Sequence, residues 1–168
     1  MKITVMGFSG SGKSTLAKQL SEFYDIPLLY LDCVNFEENW VERDREECKK
    51  MVYDFMQNES WVIDGNYSKI YQPERLEQAD KIIILQYNRF VCMKGAFKRN
   101  HDYKGRVRES MADGCNERMD FWFFTWVVFK QYSRARKEKF KSIKDKYPDK
   151  TVIFKNRKQL NAYLSALN

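Results

Sequence analysis

A chain of 168 residues with 43% hydrophobic and 32% charged side chains can bury a core without disulfides or structural metal, and this balance excludes a disordered or membrane-embedded chain. The formal charge of +7 belongs to the second part of the chain: residues 1–93 carry 11 Lys/Arg against 15 Asp/Glu, and residues 94–168 carry 19 against 8. That asymmetry points to a polyanionic partner, either the phosphate tail of a nucleotide or a nucleic acid.

In chain order, Lys2 to Met6 reads as a strand with no secretory leader before it. Further strands are expected at Pro27 to Leu31, Trp61 to Asp64, Lys81 to Gln86 and Thr151 to Phe154. Between the second and third, Cys48, Met51, Val52, Phe55 and Met56 recur at helical spacing, and a weaker helical pattern follows Thr15. Lys81-Ile82-Ile83-Ile84-Leu85 is apolar on both faces after its first residue, as in an interior strand covered by helices on both sides. Lys94 to Asp120 shows little apolar periodicity and reads as a mobile excursion. The apolar run Phe121 to Phe129 is far short of the roughly 20 residues that cross a bilayer, so a buried helix is expected there, with a dimer interface or a membrane-surface contact as the alternatives. Leu160, Tyr163, Leu164 and Leu167 mark a last helix. The order predicts one α/β domain over residues 1–168. Cys33, Cys48, Cys92 and Cys115 are scattered and form no Cys-x-x-Cys pair, which suits reduced thiols in the cytoplasm.

Gly7-Phe8-Ser9-Gly10-Ser11-Gly12-Lys13-Ser14-Thr15 has the Walker A spacing and lies where its mechanism requires, after the first strand and before the first helix. Glycines let successive N–H groups converge on a phosphate, and the helix dipole adds to the attraction. Lys13 is expected to reach the β- and γ-phosphates, Ser14 to coordinate Mg²⁺, and Thr15 to add a phosphate contact. The segment predicts ATP and Mg²⁺ as ligands, with Gly7, Ser9, Gly10, Ser11 and Gly12 lining the phosphates.

Two aspartates end strands. Asp64 closes Trp61-Val62-Ile63 and is the expected metal partner, while Asp32 follows Leu28-Leu29-Tyr30-Leu31 and is the candidate base for an acceptor hydroxyl. Charge developing on a transferred phosphoryl group calls for arginines on a closing segment. Arg99, Arg106, Arg108 and Arg118 lie in the excursion, and Arg134 and Arg136 follow the apolar run; Arg99, Arg106 and Arg134 are the favoured three. The chain lacks the guanine-reading Asn-Lys-x-Asp and the Leu-Ser-Gly-Gly-Gln of transporter ATPases, which leaves mainly small-molecule kinases.

With Tyr30-Leu31-Asp32, Asp64-Gly65-Asn66-Tyr67, Lys104-Gly105-Arg106 and Met111-Ala112-Asp113-Gly114-Cys115 added to the P-loop, the chain resembles the bacterial topology modulation proteins over nearly its whole length. These are adenylate-kinase-like P-loop proteins. The resemblance implies a three-layer α/β/α fold, a five-stranded parallel sheet in the order 2-3-1-4-5, and a helical lid at about residues 98–118. It places an acceptor region around residues 33–60 and the adenine near Lys155, Asn156 and Arg157. Asn66-Tyr67-Ser68 stands where adenylate kinases have Phe-Pro-Arg, so the acceptor-phosphate arginine is missing unless Arg43, Arg45 or Arg89 replaces it. Gln86 replaces an expected aspartate.

The leading expectation is phosphoryl transfer from ATP to a small molecule held near Asp32, Trp40 and Asn66, by a monomer or homodimer with no membrane association. A nucleotide-regulated nucleic-acid binder affecting DNA topology is the second reading, and an acceptor-independent ATPase the third.

Overall fold

The computed structural model describes residues 1–116 and 121–167. Strands β1 (Lys2–Gly7), β2 (Leu28–Tyr30), β3 (Trp61–Asp64), β4 (Lys81–Leu85) and β5 (Thr151–Phe154) form one parallel five-stranded sheet in the order β2-β3-β1-β4-β5. The interior strands β1, β3 and β4 are buried almost throughout. Ile82, Ile83, Ile84 and Leu85 are each at most 1% exposed, so both faces of β4 are covered, each side chain adding roughly 1.5–3 kcal/mol. Edge strand β5 leaves Val152 exposed.

The helices are α1 (Lys13–Tyr24), α2 (Leu31–Asn35), α3 (Arg45–Met56), α4 (Gln72–Gln78), α5 (Arg89–Asp102), α6 (Phe121–Val128), α7 (Arg134–Lys146) and α8 (Arg157–Ser165). Short 3₁₀ turns cover Glu38–Trp40 and Lys130–Tyr132. Several starts are set by side-chain caps: Asp44 accepts from the N–H of Glu46 and Glu47, Asn88 from Val91, and Asn156 from Gln159. The sheet register places Val5 and Tyr30 beside Asp64, so the ends of β1, β2 and β3 meet at one edge. Asp64 ends β3 at that edge, whereas Asp32, expected at the end of a strand, lies on α2 two residues past β2, because the chain turns helical at Leu31.

Two regions differ from the sequence reading. The excursion expected from Lys94 is helical as far as Asp102, because the buried face of α5 is built from Cys92, Gly95 and Ala96, whose small side chains give little hydrophobic signal. Residues 103–116 then pack back on the body, with Ser110, Met111 and Cys115 buried. Their anchors are Lys18 bonded to Glu109 at 2.5 Å, and the Cys115 thiol donating to the Glu37 carbonyl at 3.3 Å. The expected buried helix at Phe121 to Phe129 is helical to Val128, but among its described side chains Val127 is buried and Phe129 is 59% exposed. One face of α6 packs on α5, and the other borders a cavity. No helix among the described residues is long and apolar enough to cross a membrane.

Candidate functional site

The loop between β1 and α1 turns through two left-handed glycines, Gly10 at φ 77° and Gly12 at φ 89°. They are needed for different reasons. A Cβ on Gly10 would lie 2.0 Å from the Cys92 carbonyl oxygen, and one on Gly95 would lie 2.1 Å from the Gly10 carbonyl oxygen. The loop and α5 therefore touch backbone to backbone, which explains a glycine in a helix interior despite its cost of about 1 kcal/mol. A Cβ on Gly12 would meet nothing within 4 Å, because Gly12 faces open space at the start of α1.

A complete account of the loop's N–H groups divides it in two. The Gly7 N–H donates to Asn66 Oδ1 at 3.1 Å, the Phe8 N–H to the Leu85 carbonyl at 3.1 Å, and the Ser9 N–H to Gln131 Oε1 at 2.6 Å. Ser11 donates back to the Phe8 carbonyl at 3.2 Å. Gly10, Gly12, Lys13, Ser14 and Thr15 have no hydrogen-bond acceptor for their N–H among the described residues. The donors left for an anion thus begin at Gly10, while the N–H groups of Gly7, Ser9 and Ser11, expected at the phosphates, are engaged inside the protein.

Two carboxamides hold the closed part. Asn66 also donates Nδ2 to the Gly7 carbonyl at 2.7 Å, so one amide grips both polar groups of one residue. Gln131, fully buried in the turn between α6 and α7, donates to the Val127 carbonyl at 2.7 Å and the Ser9 carbonyl at 3.3 Å. Phe8 is held beside it, its ring 4.4 Å from that of Tyr132 and 5.5 Å from that of Phe140.

At the sheet edge, Ser14 Oγ donates to Asp64 Oδ2 at 2.6 Å, and Lys13 Nζ stands 4.0 Å from the same oxygen. Asp64 is only 3% exposed, and its Oδ1 has no hydrogen-bond partner among the described residues. Burial raises its pKa above the ordinary carboxylate value, and the charge of Lys13 partly opposes the rise. A buried carboxylate oxygen without a donor, next to a serine hydroxyl, is a hard-oxygen pair that fits Mg²⁺, an ion held by one or two protein oxygens and completed by phosphates and water.

Asp32, at the start of α2, accepts the Tyr67 hydroxyl proton at Oδ1 over 2.8 Å. Burial, then the Asp32 charge, pushes the Tyr67 phenol far above its ordinary value, so Tyr67 stays a donor. Each polar residue of Asp64-Gly65-Asn66-Tyr67 therefore has a separate duty: Asp64 toward Ser14, Asn66 toward Gly7, and Tyr67 toward Asp32.

Two cavities meet over the loop. One, of about 600 Å³, runs along residues 10–16 between α5 and the start of α8, with Tyr87 and Arg157 on its walls. The other, of about 640 Å³, is lined by Ser9, Asp32, Trp40, Asn66, Tyr67 and Trp126, among others. Lys13, Arg99 and Arg108 line both. The second cavity also contains Arg45, Lys69 and Arg136, six cations in all against the carboxylate of Asp32. Trp40 enters it from a left-handed backbone at φ 66°, an uncommon state for a bulky side chain.

Of the arginines favoured from sequence, Arg99 lies at the junction, whereas Arg106 is exposed and lines neither cavity. Arg134 is 92% exposed and bonded to Glu138 at 2.6 Å. Arg108 and Arg136 line the second cavity instead. A signal for Arg136 was present: Arg136, Lys139, Phe140 and Ile143 share one helical face, and the last two are buried, while Arg134 has an acid four residues on. Arg118 lies outside the described residues. Of the substitutes for the missing acceptor arginine, Arg45 lines the cavity. Arg43 is bonded to Glu47 at 2.7 Å, and Arg89 lies over the rings of Phe129 and Tyr132. Asn156 is occupied as the cap of α8, whereas Arg157 faces the nucleotide-side cavity. Gln86 donates its backbone N–H to Phe154.

No family model matches the chain. The structure aligns with a shikimate kinase from Bacteroides thetaiotaomicron at a TM-score of 0.54 and 17% identity, covering 99% of this chain and 96% of that one. The five-stranded parallel sheet in the order 2-3-1-4-5 is thus the P-loop kinase fold. An uncharacterized protein from Eubacterium ventriosum aligns at a TM-score of 0.41 and 24% identity, over 60% of this chain and 63% of that one. In sequence, 48 residues are 48% identical to part of the ATP-dependent lipid A-core flippase of Haemophilus ducreyi, a match spanning 27% of this chain and 8% of that protein.

Proposed function

We propose that this chain is an ATP-dependent phosphotransferase that moves the γ-phosphoryl group of ATP to a hydroxyl of a small anionic acceptor. The observation that carries the reading is the junction: a P-loop cavity and a cationic, aromatic-walled cavity share Lys13, Arg99 and Arg108. Phosphoryl transfer needs such an arrangement, with donor and acceptor on opposite sides of a cluster of fixed positive charge.

In this reading the N–H groups of Gly10 and of Gly12, Lys13, Ser14 and Thr15 hold the phosphate tail, and Arg157 borders the nucleoside. Asp64 and Ser14 would hold Mg²⁺, which neutralises charge on the phosphate oxygens. Tyr67 fixes Asp32 through Oδ1, leaving Oδ2 for the proton of the acceptor hydroxyl. The bond from phosphorus to the β-bridging oxygen breaks, a bond to the acceptor oxygen forms, and ADP leaves. Arg99 and Arg108 stabilise the charge on the transferred group, and residues 103–116 act as the lid that excludes water.

Arg99, Arg108, Arg136 and Arg157 of the basic second half line these cavities. The resemblance to topology modulation proteins is compatible with this chemistry, and the effect on DNA in that family's name does not follow from the site. An assay coupling ADP release to NADH oxidation, run over hydroxylated carboxylates and phosphate esters, tests the proposal. Acceptor-dependent turnover in the parent, absent in Lys13→Ala, is the expected result; turnover equal in the two proteins would refute it.

A further inference from the structure

A third cavity, of about 310 Å³, lies between β1 and α7 and is lined by Asn66, Ser68, Ser133, Arg136, Lys139 and Phe140, among others. It shares Asn66, Ser68 and Arg136 with the acceptor-side cavity, so the two adjoin along those side chains. Its walls contain two cations, two serine hydroxyls and no carboxylate.

The electrostatics of this pocket are unbalanced. Arg136 lies over the Trp126 ring at 5.2 Å, but neither it nor Lys139 makes an ion pair among the described residues, although surface neighbours on the same helix do, as Arg134 does with Glu138. The charge on Lys139 is disfavoured by burial and then by the nearby Arg136 and Arg75; that on Arg136 is disfavoured by burial. Arg75, behind the pocket, is fully buried, with the charge of Glu74 nearby, backbone carbonyls of Ile70 and Tyr67 as acceptors and no hydrogen-bond partner for Nη1 among the described residues. Two part-buried cations on a pocket wall that carries no acid are costly unless an anion completes the set. A helix-terminal position adds to the attraction, since α7 has 13 residues and Ser133 is its cap.

We propose that the Ser68–Ser133–Arg136–Lys139 pocket is an oxyanion subsite that receives a phosphate or carboxylate group of the acceptor. Its identity as an oxyanion site stands on the pocket alone; assigning the anion to the acceptor rests on the phosphotransferase reading. An acceptor would then lie with its reactive hydroxyl at Asp32 and its anionic group beyond Arg136, reaching past Asn66 and Ser68. The acceptor class is therefore a hydroxylated molecule whose anion is separated from the hydroxyl by a spacer, rather than a compact acid.

Inorganic phosphate is the probe, titrated by amide NMR into protein saturated with Mg²⁺ and a non-hydrolysable ATP analogue so that the P-loop is already filled. The subsite predicts saturable shifts at Ser68 and at residues 133–136, weakened about tenfold by Lys139→Ala and retained by Lys139→Arg. Absence of saturable shifts, or phosphate binding by Lys139→Ala as tight as the parent's, overturns the subsite. If the analogue does not bind, the donor half of the phosphotransferase reading fails, and the same comparison of Lys139 variants in a Lys13→Ala background still decides the pocket. An acceptor found by the ADP assay must compete with phosphate for these shifts; simultaneous binding of both would detach the subsite from the acceptor.

Discussion

Gln131 and Asp64 show how single side chains set the conditions for the loop. Replacing Gln131 with leucine keeps the volume but leaves the Ser9 N–H and carbonyl without their partner, a change expected to cost about 1–3 kcal/mol in urea unfolding. Nucleotide affinity should fall with it, because Ser9 precedes the donors that face the phosphate. Tyr67→Phe removes the hydroxyl on Asp32 and should lower stability by about 1 kcal/mol while reducing turnover more than ATP affinity. Asp64 runs the other way. Its pKa is raised in the folded state, so the folded protein binds a proton more tightly than the unfolded chain, and stability falls as pH rises from the unfolded value through the folded one. Asp64→Asn should therefore stabilise the nucleotide-free protein at neutral pH in thermal melts and weaken Mg²⁺-dependent nucleotide binding. A variant less stable than the parent at neutral pH would contradict the burial argument.

At the scale of elements, the contact of α5 with the loop couples the P-loop to the helix that leads into residues 103–116. Helix propensity alone says that Gly95→Ala stabilises α5 by about 1 kcal/mol. The 2.1 Å approach to the Gly10 carbonyl says the opposite: the helix must move away, with a loss of about 1–3 kcal/mol and weaker nucleotide binding. Urea unfolding of the variant separates the two by sign. The same contact explains why α5 was hard to read from sequence. Helical periodicity is a signal of large apolar residues, and a face made of Cys92, Gly95 and Ala96 has little of it. Strands β3 and β5 match the expected bounds because short apolar runs between turns leave few alternatives, whereas β2 is three residues long and loses Pro27 and Leu31 at its ends. In the site, the loop and Asp64 are legible because motif spacing and a strand end locate them, whereas Asp32 stands on α2, two residues past the end of β2. Gln131 is not: a buried glutamine 122 residues from Ser9 has no local pattern to announce it. Choosing among the arginines needed the tertiary direction of α7 and of residues 103–116, which charge counting does not contain.

Over the whole molecule, the sheet order brings three strand ends to one edge, and the helices around that edge leave two cavities joined by Lys13, Arg99 and Arg108. Both parts of the chain supply cations to these cavities: Lys13, Arg45 and Lys69 come from the first part with the aspartates, and Arg99, Arg108, Arg136 and Arg157 from the basic second part. The central claim is that the junction transfers a phosphoryl group between the cavities. Phosphorus-31 NMR of the protein with Mg²⁺, ATP and a panel of anionic hydroxylated molecules tests it directly. The account predicts a new phosphomonoester resonance growing in step with ADP and absent with Lys13→Ala. ADP and free phosphate appearing at a rate that no acceptor changes would contradict it.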